Sequence, residues 1–570
     1  SNISQLKVEI KQNKKRQFGD YSSNIAMLAS KKLSQSPKEI AEHIKREVES
    51  KSFIKKVEVA EPGFINFFLT LDSRTKVLKV INEDKASYGL EKNENRSSKE
   101  KVLIEYVSSN PTGPLHVGHA RGAAFGSVLS NILRAAGFEV DEEYYINDQG
   151  RQMDILALSV WIRYLQHFYQ DISFPAKCYK GLYVTHLAKE LVEKNKEKFL
   201  LLETSKGGFV KNISKDIAED SELDLLIENS KNELKDNFKV IKTFALKSIL
   251  NDIKKDLKDF GVKQNLWFIE SSMFDSSVKQ PSLVDIAIKI LSDNGFIYKK
   301  EGAEWFRSTD YKDEKDRVVR RENGLTTYFA SDIAYHLNKY QRGYDKIINV
   351  WGADHHGYLP RVKAAISALK LDVEKFEVVF IQFANLVRNG KKASMSTREG
   401  EFISLRLLIE EVTSEAARFF FVNRKGDQHL DFDLDLAKEE SKDNPLYYIQ
   451  YAHARICSVF TKLEEKNRSY NETLALKSLQ HLNGEKEVEI LQALSQFPEV
   501  IQRAANNYEP HLICYFLRNL ASSFHGYYND EKLLVEGEEE LQAKLFMLSG
   551  VKQVIFNGLS LLGISSPKSM

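Results

Sequence analysis

Apolar positions along this chain recur with two different periods, and the changes of period mark out its organisation. After Pro37, the residues Ile40, Ile44 and Val48 fall on one helical face. Val57-Glu-Val and Phe64-Ile-Asn-Phe-Phe-Leu then read as strands, separated by the breaker Pro62-Gly63. These segments predict a small α/β domain over residues 1–95, with the polar run Glu91–Lys101 (Asn93, Asn95, Ser97, Ser98) as a linker. The apolar strand Val102–Val107 opens a new pattern, strand alternating with helix, and strand-like segments return at Lys346–Val350 and Val378–Ile381. Such alternation predicts a Rossmann-like, doubly wound parallel sheet over 96–404. Residues of about 170–262 interrupt it. They are charge-rich and helical, as in Lys194-Asn-Lys-Glu-Lys and Asp252-Ile-Lys-Lys-Asp-Leu-Lys, and read as a helical insertion. From 405 to 570 only helical stripes remain, at Leu405–Phe421, Tyr447–Lys466, Val488–Asn506, His511–Tyr527 and Ala543–Leu562, which predicts an all-α bundle.

Bulk numbers narrow the class of protein without naming it. A chain of 570 residues is too long for one hydrophobic core, and 42% hydrophobic with 28% charged residues is ordinary for a soluble globular protein. No stretch approaches the ~20 apolar residues needed to span a bilayer, and no secretory signal precedes the first domain, so neither membrane nor export is expected. Cys178, Cys457 and Cys514 are far apart with no ligand-like spacing, which argues for a reducing cytoplasm and against a disulfide framework or zinc site. The net charge of +2 neither demands nor excludes a nucleic-acid partner, because binding surfaces can be local patches.

The densest chemistry follows the strand Val102–Val107. Ser109-Asn-Pro-Thr-Gly-Pro-Leu-His-Val-Gly-His119 lies between that strand and a small-residue helix, Ala120–Ala136, which ends at Gly137. A strand, a turn and a helix N-terminus in this order offer unpaired backbone N–H groups and a positive dipole end to an anion. Gly118 lets a flat base or a phosphate approach the backbone, and His116 and His119, three apart, can both donate to phosphate oxygens. A bare His-x-Gly-His is most often a pair of surface or packed histidines; the flanking strand and helix distinguish this one. Trp351-Gly-Ala-Asp-His-His-Gly357 ends another strand and precedes a helix, which is where α/β sheets bind ligands. Asp354, His355 and His356 make a poor metal site, since adjacent residues rarely ligate one ion and no further ligand is spaced to help. Ser394-Met-Ser-Thr-Arg-Glu-Gly400, after the turn Arg388-Asn-Gly-Lys-Lys392, is by itself only a basic hairpin.

Other candidates are ordinary one at a time. Asp332 lies four residues after Tyr328, so on a helix the two share a face, as many satisfied surface pairs do. Glu105 lies on the strand Val102–Val107, and Glu270 sits in Trp267-Phe-Ile-Glu-Ser-Ser. Asn444-Pro-Leu-Tyr-Tyr-Ile-Gln-Tyr-Ala-His-Ala-Arg455 and Phe524-His-Gly-Tyr-Tyr-Asn529 interleave aromatics with Arg and Gln. They could stack on unpaired bases or form the core of the bundle.

Together these segments resemble the class I aminoacyl-tRNA synthetases, and among them the arginine enzymes. His116, Gly118 and His119 match the histidine-bearing ATP motif, and the flanking Asn-Pro-Thr-Gly-Pro and Ala-Arg-Gly are similar to those of the arginine enzymes. Met395 and Ser396 match the family's lysine-methionine-serine-lysine loop, with Ser394 and Thr397 where the lysines usually stand and Arg398 as in many arginine enzymes. The resemblance puts Gly352, Asp354 and His355 on the adenosine side of ATP, and Tyr328, Asp332 and Glu270 against a guanidinium. It puts Glu105, Ser108 and Asn110 around the substrate's amino group. A guanidinium stays protonated, so carboxylates in bidentate geometry suit it. The resemblance also implies that Tyr448, Gln450, Tyr451 and Arg455 belong to an anticodon-binding domain. Phe18-Gly-Asp-Tyr-Ser-Ser-Asn-Ile-Ala-Met27, with Asn24, resembles the added domain that touches the tRNA elbow. The family has another helix before this point, so Ser1 suggests a shortened start, while Gly563–Met570 is similar to the family's own ending.

What the resemblance implies is ATP-dependent joining of L-arginine to tRNA(Arg) through an arginyl-adenylate, with Mg²⁺ on the phosphates, no structural metal, and activation only when tRNA is bound. A cytoplasmic monomer is expected. Two rivals remain at this point. Another adenylating enzyme of the same nucleotide-binding superfamily would leave the helical third and the Tyr328–Asp332 pair unexplained. A non-catalytic tRNA-binding relative would fit the missing loop lysines but not the intact His116, Gly118 and His119.

Overall fold

The computed structural model describes all residues except 1–5, 14–15, 93–98, 170, 216, 218, 275–280 and 394–402. The chain divides into two compact units. One gathers Ser1–Glu91, Glu440–Arg503 and Leu512–Met570; the other consists of Lys92–Glu439 with Ala504–His511.

The N-terminal part of the first unit is an antiparallel sheet with helices beside it. Its elements are β1 (Ile10–Gln12), β2 (Tyr21–Ser23), α1 (Ile25–Leu33), α2 (Pro37–Glu49), β3 (Ile54–Ala60), β4 (Phe64–Leu69) and α3 (Leu71–Asp84), with strand order β1-β2-β4-β3. Pro37 starts α2 where its missing N–H costs nothing, and Ile40 and Ala41 pack with Ala26, Ile54, Val57 and Ile65.

The second unit is built on a five-stranded parallel sheet. β5 (Lys101–Glu105) leads into α4 (Val117–Ala135), β6 (Glu139–Ile146) and α5 (Arg151–Phe168). The insertion follows as α6 (Leu182–Asn195), α7 (Glu203–Asn212), α8 (Asp220–Leu234) and α9 (Asp236–Asp259), and the chain returns to the sheet at β7 (Leu266–Ile269). After α10 (Leu283–Asp293), an antiparallel trio of β8 (Ile297–Lys300), β9 (Ala303–Phe306) and β10 (Arg317–Arg320) precedes α11 (Tyr328–Gln341). β11 (Lys346–Gly352), α12 (Leu359–Ala368) and β12 (Phe376–Ile381) complete the sheet, whose order is β12-β11-β5-β6-β7. All its pairings are parallel. β5 is central, and its Val102, Leu103 and Ile104 are fully buried, as strands covered on both faces require. The sequence pattern predicts this strand to Val107, but it ends at Glu105 because Val107 and Ser108 turn to φ of 70° and 40°.

A hairpin of β13 (Ala384–Arg388) and β14 (Lys391–Lys392) turns through Asn389 and Gly390, both at positive φ. The region from 405 on, predicted to be purely helical, departs from that reading in two places. The helix predicted over Leu405–Phe421 is two, α13 (Leu405–Val412) and α14 (Ser414–Val422), broken at Thr413 with φ 72°. β15 (Leu430–Asp433) then pairs with β13 in parallel, and the short α15 (Leu434–Lys438) follows.

The rest of the first unit is a helical bundle: α16 (Pro445–Glu465), α17 (Glu472–Lys477), α18 (Glu485–Asn507), α19 (His511–Asp530) and α20 (Glu538–Leu562). The sequence reading found no stretch of membrane-spanning character, yet α20 is long and apolar enough for one by composition. Its apolar side chains, Leu541, Leu545, Phe546, Leu548, Val551, Val554, Ile555 and Leu559 among them, are buried as the centre of the bundle. The N-terminal domain docks on this bundle. The Tyr88 hydroxyl donates to the Leu494 carbonyl at 2.9 Å, the Asn557 amide donates to the carbonyls of Lys85 and Tyr88, and a Cβ at Gly550 would lie 2.9 Å from Leu78.

Candidate active site

In the order β12-β11-β5-β6-β7 the direction of winding reverses between β5 and β11. Ligands in such sheets bind beyond the carboxyl ends of the strands at that reversal. A cavity of about 300 Å³ opens there, lined by Glu105 at the end of β5 and Val107, Ser108 and Asn110 after it, and by Asn349, Val350, Trp351 and Gly352 of β11 and His355 after it. Tyr145 and Asn147 from β6 and the loop after it, Asp332, Tyr335 and His336 from α11, and Tyr358 complete it. Six residues proposed from the sequence therefore share one wall system: Glu105, Ser108, Asn110, Asp332, Gly352 and His355.

The histidine motif caps α4. The Nδ1 of His116 accepts from the Gly118 N–H at 3.1 Å, and the Nδ1 of His119 accepts from the His116 N–H at 3.3 Å, a reciprocal capping box built from imidazoles. The two rings lie 3.8 Å apart. Burial lowers the pKa of His116; burial and then the neighbouring His116 lower that of His119 to about 3. Both rings are therefore neutral, and because each Nδ1 accepts, each carries its proton on Nε2, where it can donate to an anionic oxygen. Gly118 has a local reason beyond ligand approach. A Cβ there would lie 2.8 Å from the His116 ring, so glycine allows that ring to fold back over the helix start. Arg121, from the Ala-Arg-Gly that follows, is buried and donates to the carbonyls of Gln382, Gln428 and Lys425, which fixes α4 to two loops. Gly126 lets the helix approach the sheet, since a Cβ there would lie 2.3 Å from the Tyr106 ring. Beside the motif, the Val117 N–H donates to Ile403 O and the Leu405 N–H to Leu115 O, so the chain just after residue 402 is anchored on the motif. Met395, Ser396 and Arg398 themselves lie outside the described residues.

The cavity is acidic where α11 faces it. Asp332, half-buried, accepts from the Tyr358 hydroxyl, and burial raises its pKa to about 6, with the nearby Glu105 adding to the rise. Glu270 is 3% exposed; burial raises its pKa to about 7, with Asp332 and Asp148 contributing, while hydrogen bonds from Ser331 and Tyr145 oppose the rise. In the orientation that satisfies both ends of its amide, Asn147 also donates to Glu270 Oε2 at 2.8 Å. Glu270 thus stands behind the cavity wall and not among the lining residues. Glu105 accepts from Lys339 Nζ of the same helix, α11, at 2.5 Å and from Asn349 Nδ2 at 3.0 Å, and Lys339 is fully buried.

Tyr328 lies on the same helix as Asp332, four residues before it. It is the first residue of α11, 58% exposed, with its hydroxyl at the Gly150 backbone, where a Cβ would lie 2.6 Å from it. The phenol on Asp332 is that of Tyr358, which the sequence reading missed, along with Lys339, Asn349, Tyr145 and Asn147. Asp332, Tyr335, His336 and Lys339 follow helical spacing, so a face analysis of α11 would have found Lys339; nothing local signals Tyr358. Asp354 is exposed and 3.4 Å from His355, and a Cβ at Gly352 would lie 2.4 Å from its carboxylate.

The residues proposed to face tRNA fall in the first unit. Asn24 is half-buried and precedes α1, with no side-chain cap bond. On α16, Tyr448 and Tyr451 lie 4.4 and 5.7 Å from the buried His525 ring, and the Arg455 guanidinium lies 3.8 Å over Tyr528. Gln450 donates to the Ser565 carbonyl at 3.1 Å. The two aromatic segments of the sequence thus form one half-buried cluster.

A histidine-capped helix at the reversal of a parallel sheet, beside an acidic cavity, is the frame of a class I aminoacyl-tRNA synthetase, and the family "tRNA synthetases class I (R), catalytic domain" matches residues 83–433. "Arginyl tRNA synthetase N terminal domain" matches 1–69 and "DALR anticodon binding domain" matches 449–570. Curated relatives agree along the chain: an arginine–tRNA ligase of Legionella pneumophila (strain Corby) is 47% identical over 572 residues, 99% of this chain and 96% of its own length. One from Azoarcus sp. (strain BH72) is 48% identical over 98% of this chain and 94% of its own length. The solved Thermus thermophilus arginyl-tRNA synthetase shares the fold at a TM-score of 0.72 and 21% identity, covering 99% of this chain and 97% of that one. The chain belongs to the arginyl-tRNA synthetase family, the arginine–tRNA ligases.

Proposed function

We propose that the cavity between β5 and β11 holds the arginine substrate and that the α4 N-terminus holds the ATP phosphates beside it. The observation that carries this reading is the pairing of Asp332 and Glu270 at the α11 side of a cavity whose lining loop, with Ser108 and Asn110, runs into the two histidines that cap α4. The guanidinium meets Asp332, with Glu270 and Tyr328 nearby, and the amino end lies toward Glu105, Ser108 and Asn110. The arginine carboxylate attacks the α-phosphorus of ATP and pyrophosphate leaves. The terminal ribose hydroxyl of tRNA(Arg) then attacks the adenylate carbonyl and AMP leaves. His116 and His119 donate from Nε2 to phosphate oxygens without taking up a proton, and Gly352, Asp354 and His355 border the adenosine. Met395, Ser396 and Arg398 act on the triphosphate, Arg398 supplying charge where Ser394 and Thr397 stand in place of the customary lysines. Mg²⁺ accompanies ATP; among the described residues no three His, Cys, Asp or Glu side chains group as a metal site.

In the same reading the N-terminal domain, through the segment with Asn24, touches the tRNA elbow, and Tyr448, Gln450, Tyr451 and Arg455 meet anticodon bases. The enzyme acts as a cytoplasmic monomer and activates arginine with tRNA bound. The test is ATP–pyrophosphate exchange with each amino acid, with and without tRNA, on the wild-type chain and Asp332→Asn. Removing one partner of a buried charged pair costs roughly 2–5 kcal/mol, so the arginine KM should rise at least thirtyfold on this estimate with the ATP KM nearly unchanged. A near-normal arginine KM in Asp332→Asn would remove this residue from the pocket.

A further inference from the structure

The loop from Val107 to Leu115 carries three cavity-lining residues, Val107, Ser108 and Asn110, and runs directly into His116. Its first two residues hold positive φ without being glycine, a costly conformation that persists only where the surroundings over-determine it. Contacts from the helical insertion reach the rest of this loop. Tyr183, in α6, donates its hydroxyl to the Thr112 carbonyl at 2.7 Å, and its ring lies so close to Gly113 that a Cβ there would sit 3.2 Å away. Tyr179, just before α6, hydrogen-bonds with the Thr112 side chain. From α9, Lys254 Nζ lies 4.6 Å over the Trp267 ring, Trp267 stacks on Tyr144 at 4.6 Å, and the Tyr144 hydroxyl donates to the Ser109 carbonyl at 2.8 Å. Two struts from the insertion thus reach the loop at Ser109 and Thr112, on either side of Asn110.

We propose that the insertion is a positioning element for the amino-acid site, with Tyr179 and Tyr183 as positioning residues that hold Ser108 and Asn110 where the substrate meets them. Neither tyrosine lines the cavity, so both act through the loop. The proposal rests on the assignment of the cavity to arginine. Tyr→Phe keeps each ring and its packing and removes only the hydroxyl, so the variants isolate the two hydrogen bonds. The full-length chain with Tyr179→Phe, Tyr183→Phe or both is assayed by arginine-dependent ATP–pyrophosphate exchange with tRNA present, alongside Asp332→Asn. The double variant should raise the arginine KM about tenfold, each lost hydrogen bond contributing about threefold to fivefold, with kcat, the tRNA KM and the thermal midpoint near wild-type. A structural role alone would lower the midpoint and kcat without this split, and that result overturns the proposal. Arginine KM values within twofold of wild-type in all three variants also overturn it, provided that Asp332→Asn raises the same KM. If Asp332→Asn leaves it unchanged, the cavity assignment fails instead and takes the proposal with it. Should the double variant not fold, the two single variants decide by the same KM.

Discussion

Asp332 and Glu270 sit with pKa values of about 6 and about 7, well above the ordinary carboxylate value near 4, because burial disfavours their charge, with Glu105 repelling Asp332, and Asp332 and Asp148 repelling Glu270. Between about pH 4 and 7 the folded chain therefore holds protons that the unfolded chain has released, and stability falls as pH rises across that window. A guanidinium reverses this preference, since it binds the ionised form and expels the proton. The arginine KM should accordingly fall as pH rises from about 5.5 to 7.5 and level off above, with proton release on binding visible by calorimetry in buffers of different ionisation enthalpy. A flat KM over that range, with no proton release, would count against Asp332 and Glu270 as the guanidinium site. His119, held down to about 3 by burial and the neighbouring His116, should show no titration in the same window, and burial shifts His116 in the same direction. Gly118→Ala tests how they are held. The helix tolerates alanine at this position, but the new Cβ meets the His116 ring 2.8 Å away and must displace it. Adenylate formation should slow by ~10²-fold, as for the loss of one preorganised donor, in a protein that melts like wild-type; normal single-turnover adenylation would show that the ring position is unimportant.

The helix α4 joins that site to the rest of its unit through Arg121, whose guanidinium serves carbonyls of Gln382, Lys425 and Gln428. Burial holds its pKa down to about 10, still far above neutral pH, so it stays charged. Arg121→Met leaves those carbonyls without their buried donor and should cost about 3 kcal/mol or more, read as a lower urea midpoint. Lysine at the same position should recover only part, because one ammonium cannot reach all three acceptors in the fork geometry of arginine. A Met variant with an unchanged midpoint would mean that water replaces the guanidinium there. The strand–turn–helix around His116 was legible in the sequence because its signals are local: an apolar run, a turn, and small residues at helical spacing. β15 was not legible, since Leu430–Asp433 becomes a strand only by pairing with β13, some 46 residues earlier at Asn385–Asp431. The break at Thr413 was hidden for a related reason. The apolar stripe continues across it, while Thr413, at φ 72°, ends α13 and caps α14 by accepting from the Ala416 N–H. Asp332 illustrates the limit of spacing arguments: the four-residue spacing to Tyr328 on α11 gives no sign of Tyr358, which arrives from another element to donate to the carboxylate.

Along the chain, the first 91 residues and the last third are separated by the whole sheet domain, yet they form one compact unit. Asp20 is the polar centre of that union. Its carboxylate accepts a bidentate pair from Arg74 at 2.8 Å, the Leu69 N–H at 2.7 Å and the Gln492 amide of α18 at 2.7 Å. Gly19 before it holds φ of 80°, and a Cβ there would lie 2.6 Å from the Phe67 carbonyl, which explains the Gly-Asp step of the N-terminal motif as architecture. The apolar side of the union is the Tyr88 ring on Phe497, Gly89 against Phe497 and Ile501, and Leu78 against Gly550. The sequence showed both domains but not their pairing, because no local pattern links residues more than 400 positions apart. The pairing changes what a truncation would do. A chain ending at Glu439 loses the bundle, and with it the anticodon-binding domain matched at 449–570. It also strips the cover from Leu78, Tyr88 and Gly89 and leaves the buried Asp20 with one partner fewer. The prediction is that such a chain loses cognate tRNA binding and that its first 91 residues become sensitive to limited proteolysis, while fragments from the sheet domain persist. Single substitution sharpens the test. Asp20→Asn keeps the shape but removes the charge that Arg74 requires, and breaking a buried pair in this way costs roughly 3–5 kcal/mol. In the full-length chain it should open the same N-terminal cleavage sites and raise the tRNA KM, without changing the arginine KM. If Asp20→Asn resists protease as wild-type does, the carboxylate is not what secures the N-terminal domain to the bundle.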